Sequence, residues 1–169
     1  MIRHSLLILV SLLLVSLTGC PAGHSDGPDV ASQEAAKQLV RHWIVSMWDK
    51  GDRDVFEELS ADDYVYSTPG EADRKGNEAF AYGEAIRAAF PDLNNTIEEQ
   101  YVDGDMIVTR GTTRGTHQGP FGDFQATGNA VEVPWVMITR LRNGRVAADW
   151  EIFDTFALMS QIGAVATPE

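Results

Sequence analysis

From Glu34 to Lys50 the apolar residues Leu39, Val40, Trp43, Ile44, Met47 and Trp48 recur at three- and four-residue spacing, which marks one buried face of an amphipathic helix. Ser32 stands where an N-cap is wanted and Gly51 closes the end. Asp52 to Leu59 reads as a short second helix and Ala61 to Ser67 as an extended segment ending at Thr68-Pro69-Gly70. A third helix is expected from Asn77 to Phe90, with Ala79, Tyr82, Ile86 and Phe90 on one side and Pro91 stopping it. After Pro91 the period changes from helical to alternating. Strands are expected at Thr96 to Val102, Met106 to His117, Val131 to Leu141 and Arg145 to Phe153. The short turns Asp103-Gly104-Asp105 and Arg142-Asn143-Gly144 imply antiparallel hairpins, and Gly119 to Asn129 forms a longer rim connection. Helices first and antiparallel strands afterwards make an α+β domain, with helices on one face of a curved sheet.

Because alternate strand residues point to opposite faces, parity sorts candidate chemistry from surface. In the long strand Ile107, Thr109, Gly111, Thr113, Gly115 and His117 share a face, and Arg110, Thr112, Arg114 and Thr116 share the other, outer one. Val131, Val133, Trp135, Met137, Thr139 and Leu141 form the apolar row of the next strand. In the last strand Val146, Ala148, Trp150, Ile152 and Asp154 share the more apolar face, which is expected to point inward, leaving Arg145, Asp149 and Glu151 outside. An inward Asp154 beside Trp150 and Ile152 would be desolvated and so able to exchange protons near neutral pH. It also immediately precedes the apolar helical turn Thr155-Phe156-Ala157-Leu158-Met159, so it fits equally as that helix's N-cap. His117, at a strand end before Gly119-Pro120, has the same two readings, pocket residue or turn hydrogen-bonder. Trp43, Trp48, Trp135 and Trp150 favour a large apolar cavity.

The N-terminus carries a different pattern. One early cation, Arg3, is followed by a nearly unbroken apolar run from Leu6 to Leu17 and then Leu17-Thr18-Gly19-Cys20, which reads as a secretory signal. The run is shorter than the ~20 residues that span a bilayer. The single cysteine of the chain falls where a bacterial lipobox places its lipidated residue; the other reading is an ordinary signal peptide with a coincidental cysteine. The chain then divides into a signal (1–19), lipidated Cys20 with a Pro/Gly/Ser/Asp-rich tether (20–32), and one folded domain (33–165). That organisation implies an exported domain of the bacterial cell envelope, touching the membrane through its lipid anchor alone.

The 169 residues include 13 Lys+Arg and 25 Asp+Glu, a net charge of −12; loss of Arg3 with the signal makes it −13. So acidic a chain argues against nucleic-acid binding, which needs clustered Lys/Arg. At 44% hydrophobic and 22% charged it has the composition of a folded protein. One cysteine excludes a disulfide framework. His24, His42 and His117 are not spaced to share a metal, and there is no Gly-rich phosphate loop, HExxH motif or GxSxG elbow. Chemistry without metal or cofactor is the expectation.

The segments Phe90-Pro91-Asp92-Leu93, Arg114-Gly115-Thr116-His117-Gln118-Gly119, Ala126-Thr127-Gly128, Asn143-Gly144-Arg145-Val146 and Trp150 through Asp154 to Gln161-Ile162-Gly163, in that order and spacing, resemble the SnoaL-like polyketide cyclase family of the NTF2-like superfamily. The likeness spans about Glu34 to Gly163. It implies an α+β cone with helices over a curved sheet around a deep apolar pocket, and a homodimer through the sheet. It also implies a cofactor-independent intramolecular aldol closure on a small apolar carbonyl compound, with Asp154 matching the family's acid/base and His117 its GTH histidine. Trp48, Tyr66, Phe90, Trp135 and Trp150 are the expected pocket walls. At Val65-Tyr66-Ser67-Thr68 the chain lacks the Asp-His pair that many relatives carry. The rival expectation is a non-catalytic small-molecule-binding or interaction lipoprotein on the same fold.

Overall fold

The computed structural model describes residues 30–165, so the signal, Cys20 and most of the tether lie outside the described residues. Helix α1 (Val30–Ile44) continues without a break into a π-helical segment (Val45–Lys50), which ends at Gly51 in the left-handed conformation, φ 65°. The helix is already formed at Val30, so Ser32 lies inside it and is not its N-cap. Asp52 caps α2 (Arg53–Leu59) by accepting from the Val55 amide at 3.1 Å. Strands β1 (Ser60–Ser67) and β2 (Arg74–Lys75) precede α3 (Asn77–Ala89), which stops one residue short of the expected Phe90. β3 (Asn94–Asp103), β4 (Met106–Thr116), β5 (Ala130–Arg142) and β6 (Arg145–Phe153) then follow in hairpin succession, and α4 (Thr155–Gln161) closes the described chain.

All six strands form one curved open sheet in the order β2-β1-β6-β5-β4-β3. Every neighbouring pair is antiparallel except β1 and β6, which run parallel, so the sheet is mixed. The parallel pair is possible because α3 and four strands lie between β1 and β6 in sequence, far more chain than a parallel crossover requires. Helices α1, α2 and α3 pack over the inner face. The main core joins Val40, Trp43, Ile44 and Phe56 from the helical side to Tyr64, Ile107, Trp135 and Met137 from the sheet.

The expected parity holds along β4 and β5. Ile107, Thr109, Gly111 and Thr113 are buried while Arg110 and Arg114 are exposed, and Val131, Val133, Trp135, Met137 and Thr139 are buried in sequence. Gly111 lies directly opposite Trp135, and a side chain there would meet the indole at 2.3 Å, so glycine is what allows the ring to lie across the strand.

In β6 the expectation is overturned. Leu141 pairs with Val146 but Arg140 pairs with Ala148, which leaves Ala147 as an extra residue in a β-bulge. Before the bulge Val146 faces in; after it Asp149 and Glu151 do. Trp150 and Ile152 are turned outward, 40% and 48% exposed. They complete apolar cross-strand neighbours on the outer face, where Tyr101, Val108, Ile138 and Trp150 form one continuous row.

Candidate active site

A cavity of about 300 Å³ lies between the inner sheet face and the helices. The π-helical segment contributes Trp48 to its wall, β1 contributes Tyr66, α3 contributes Tyr82 and Ile86, and β5 contributes Trp135 and Met137. The aromatic rings form a contiguous wall, with Trp48 and Tyr66 centroids 5.0 Å apart and Tyr66 and Tyr82 5.8 Å apart. The π-helical end that carries Trp48 is held by side chains of two neighbouring elements. Arg87 Nη1 donates to the Met47 carbonyl at 2.6 Å, and the Asn95 side-chain amide donates to Asp49 Oδ1 at 2.6 Å, which ties the segment to α3 and β3. Lone carbonyls at a helix end are natural acceptors for a guanidinium.

Glu151 is the acidic side chain of β6 in this wall, and its cross-strand neighbour is the apolar Met137. Its Oε2 accepts a hydrogen bond of 2.5 Å from the Tyr66 hydroxyl, and among the described residues no other group hydrogen-bonds the carboxyl. Burial pushes the Glu151 carboxyl up to about 7; the Tyr66 hydrogen bond pulls the other way, and nearby Asp149 adds to the rise. Burial likewise raises the Tyr66 phenol, as does the adjacent carboxylate, so Tyr66 stays a neutral donor.

Charge in the rest of the wall is sparse. Arg114 borders the cavity, but its guanidinium reaches the outer face, where it forms two hydrogen bonds to Glu132 of 3.1 and 2.8 Å. Glu71 stands at the wall on the loop after β1, ion-paired with Arg74, whose guanidinium lies 3.9 Å above the Tyr82 ring centroid. Among the described residues no group of three or more His, Cys, Asp or Glu side chains is placed to hold a metal ion.

Four of the residues expected at the pocket, Trp48, Tyr66, Phe90 and Trp135, line this cavity; three others do not. Asp154 is exposed and lies outside the wall, where its Oδ1 caps α4 by accepting from the Ala157 amide at 2.9 Å. The bulge exchanges the faces of β6, and the strand ends at Phe153, one residue before Asp154. Trp150 was carried to the outer face by the same shift. His117 is fully buried and does not line the cavity. Its ring stacks on Phe90 at 5.3 Å, its Nδ1 lies 3.1 Å from Thr127 Oγ1, and its backbone joins Asn129 and Gly128 across the long rim loop. The sequence pattern puts Glu151 on the outer face, and it marks Tyr82, Met137 and Leu158 as apolar positions without marking them as cavity wall. The signal for Glu151 was present in the two spaced pairs Tyr64/Tyr66 and Asp149/Glu151, whose members meet one to one across β1 and β6.

The family model for SnoaL-like polyketide cyclase matches residues 38–162. The chain belongs to the SnoaL-like polyketide cyclase family. Solved structures agree with that membership. A protein from Jannaschia sp. CCS1, described as a SnoaL-like polyketide cyclase, is 26% identical with a TM-score of 0.74, over 86% of this chain and 100% of its own. TsrD from Streptomyces laurentii is 27% identical with a TM-score of 0.68, over 82% of this chain and 100% of its own. No curated protein matches the chain in sequence. Within this SnoaL-like domain, α4 closes one end of the cavity with Leu158. It is fixed at its start by Asp154 and at its end by Gln161, whose side-chain amide exchanges hydrogen bonds of 2.6 and 2.9 Å with the Glu132 backbone.

Proposed function

We propose that this SnoaL-like domain is a cofactor-independent acid-base enzyme of the cyclase/isomerase type, with Glu151 as its proton-transfer group. The observation that carries the reading is a carboxyl in an apolar cavity with one hydrogen-bond donor, Tyr66, and an open second oxygen. Such a group titrates close to neutral pH, where proton transfer in both directions is fast. Its ionised form would take a proton α to a ligand carbonyl. The resulting enolate then either attacks a carbonyl carbon of the same molecule, as in an aldol closure, with the protonated Glu151 returning its proton to the alkoxide that forms, or is reprotonated at another position by the protonated Glu151. Asp154, the resemblance's choice for this role, is the N-cap of α4 and does not line the cavity. The ligand class is a small, largely apolar carbonyl compound.

The same proposal has the domain exported and anchored at Cys20, with the apolar outer row of Tyr101, Val108, Ile138 and Trp150 covered by a second copy of the chain. Cys20→Ala should release the protein from the membrane fraction, and light scattering should return twice the monomer mass.

The direct test is deuterium uptake at the α-carbon of 1-tetralone in D₂O, followed by proton NMR. The intact protein should accelerate exchange, Glu151→Gln should lower the rate by roughly 10²–10⁴-fold, and Asp154→Asn should leave most of it. Full exchange in the Glu151→Gln variant would remove Glu151 from the role; saturable ligand binding without any exchange would establish the non-catalytic reading.

A further inference from the structure

After its bulge β6 turns two carboxyls inward and no cation. Asp149 and Glu151 are two residues apart on one face, which on a strand is a spacing of roughly 7 Å. The groups that face them are Trp43 from α1, Tyr64 and Tyr66 from β1, Tyr82 from α3, and Thr139 and Met137 from β5, and none of these carries a positive charge. Among the described residues no ion pair includes Asp149 or Glu151. Glu71, the other acid of the cavity wall, is already paired with Arg74.

The hydrogen bonds around Asp149, which is 1% exposed, all run one way. The Trp43 indole donates to Oδ2 at 2.8 Å, the Tyr64 hydroxyl to Oδ2 at 2.9 Å and the Thr139 hydroxyl to Oδ1 at 2.5 Å. Three donors complement the ionised carboxylate, whereas a protonated one would need an acceptor for its own hydrogen. Burial raises the Asp149 carboxyl, and these three donors oppose the rise. Glu151 has a single donor, Tyr66. Two like charges in one desolvated site do not ionise with equal ease: the one with more donors takes the charge and the other holds its proton longer. In agreement, burial brings Glu151 to about 7 and the Asp149 charge adds to the rise. We infer that Asp149 is a positioning residue for proton transfer, a fixed negative charge that acts through Glu151 and strengthens it as a base without touching the ligand. This rests on Glu151 being the proton-transfer group, and it gives Asp149 a part in the chemistry that tying α1, β1 and β5 together does not require. Environments that push two neighbouring acids apart in this way divide their roles, one held as the charge and the other free to exchange.

Asp149→Asn removes the charge and keeps the hydrogen bonds. The amide oxygen accepts from Trp43 and Tyr64, and the amide nitrogen donates to Thr139, whose hydroxyl turns to accept. The test titrates protein labelled with ¹³C at the Asp and Glu carboxyls by NMR, Glu151→Gln and Asp149→Asn assigning the two signals. In the parent the Asp149 signal should remain that of a carboxylate through the whole Glu151 transition. In Asp149→Asn the Glu151 midpoint should fall by about one pH unit, the order expected for charges roughly 7 Å apart in a partly desolvated site. Tyr64→Phe loosens the same cluster but leaves the charge, and should keep the parent midpoint. The pH profile of α-proton exchange on 1-tetralone should move with the NMR midpoint. An unmoved midpoint in Asp149→Asn, an equal fall in Tyr64→Phe, or a protonated Asp149 across the Glu151 transition would each overturn the assignment; the last is read on the parent and needs no variant to fold. A lowered midpoint without exchange on any ketone would leave the coupling standing while removing Glu151 from catalysis. Exchange lost in Glu151→Gln, with a midpoint unmoved by Asp149→Asn, would do the reverse.

Discussion

Asp149 and Glu151 sit two residues apart on the same face of the same strand, and each accepts from a tyrosine of β1, Tyr64 at 2.9 Å and Tyr66 at 2.5 Å. Their surroundings then part. Asp149 also receives the Trp43 indole at 2.8 Å and the hydroxyl of its cross-strand neighbour Thr139 at 2.5 Å, so both of its oxygens are engaged, and it does not line the cavity. Glu151 faces Met137 where Asp149 faces Thr139, and keeps one oxygen open to the cavity. Burial raises the proton affinity of both carboxyls, but three hydrogen bonds oppose the rise at Asp149 and one opposes it at Glu151. The lesson is that burial alone does not make a reactive carboxylate. A buried acid whose lone pairs are all claimed is a fastener joining α1, β1 and β5, and the one left partly unclaimed can exchange a proton with a guest.

The contrast is broken most severely at its closed end. Asp149→Ala strands the Trp43, Tyr64 and Thr139 donors together, and at roughly 1–3 kcal/mol for each unsatisfied buried group the loss of stability should be several kcal/mol. Urea unfolding at pH 7 measures it; a loss near zero would mean that the three donors find other acceptors.

At the open end the sign is opposite. The Glu151 carboxyl titrates near 7 in the folded chain against an ordinary 4.5. Between those values the native state binds the extra proton, so its contribution to stability is fully present below about pH 4.5, falls as pH rises towards about 7 and is flat above that. Glu151→Gln should therefore unfold like the parent at pH 4.5 and be more stable at pH 8, by at most about 3 kcal/mol. Equal stability at both pH values would show that the carboxyl is solvated.

Gly111→Ala should cost about 1–3 kcal/mol, the range for overpacking, and should blunt ligand binding through displacement of Trp135, read by calorimetry. Tyr66→Phe removes the donor that holds the Glu151 proton affinity down, so the pH at which activity rises should move upward; a downward shift would contradict the hydrogen bond's direction. The smallest effect belongs to Asp154. Asp154→Ala should cost about 1 kcal/mol, the usual value of an N-cap, and Asp154→Asn almost nothing, since asparagine caps as well.

Much of the fold was legible because periodicity reports burial directly. The stripe through Leu39, Val40, Trp43 and Met47 gave α1, and the alternation from Val131 to Thr139 gave β5 with its inner face correct. Trp48, Tyr66, Phe90 and Trp135 could be named as cavity candidates because large aromatic side chains on core-facing positions have few other places to go. The continuation of α1 as a π-helix left no mark in the pattern, since Met47 and Trp48 suit either geometry. Nor did the parallel pairing of β1 with β6, because a strand's own sequence does not carry its partner's direction.

Sequence alone determined the α+β class, the order of the elements, the acidic surface and the set of side chains able to build an apolar cavity. Tertiary structure decided which carboxylate enters it. In a strand whose side chains alternate with a period of two, one extra residue turns every later side chain to the opposite face. Both faces of β6 after Ala147 are plausible interiors by composition, Trp150 and Ile152 on one and Asp149 and Glu151 on the other. Only the pairing with β1 and β5 supplies Tyr64, Tyr66, Thr139 and Met137 to the acidic face and Ile138 and Val136 to the apolar one, and that pairing chose Glu151 over Asp154.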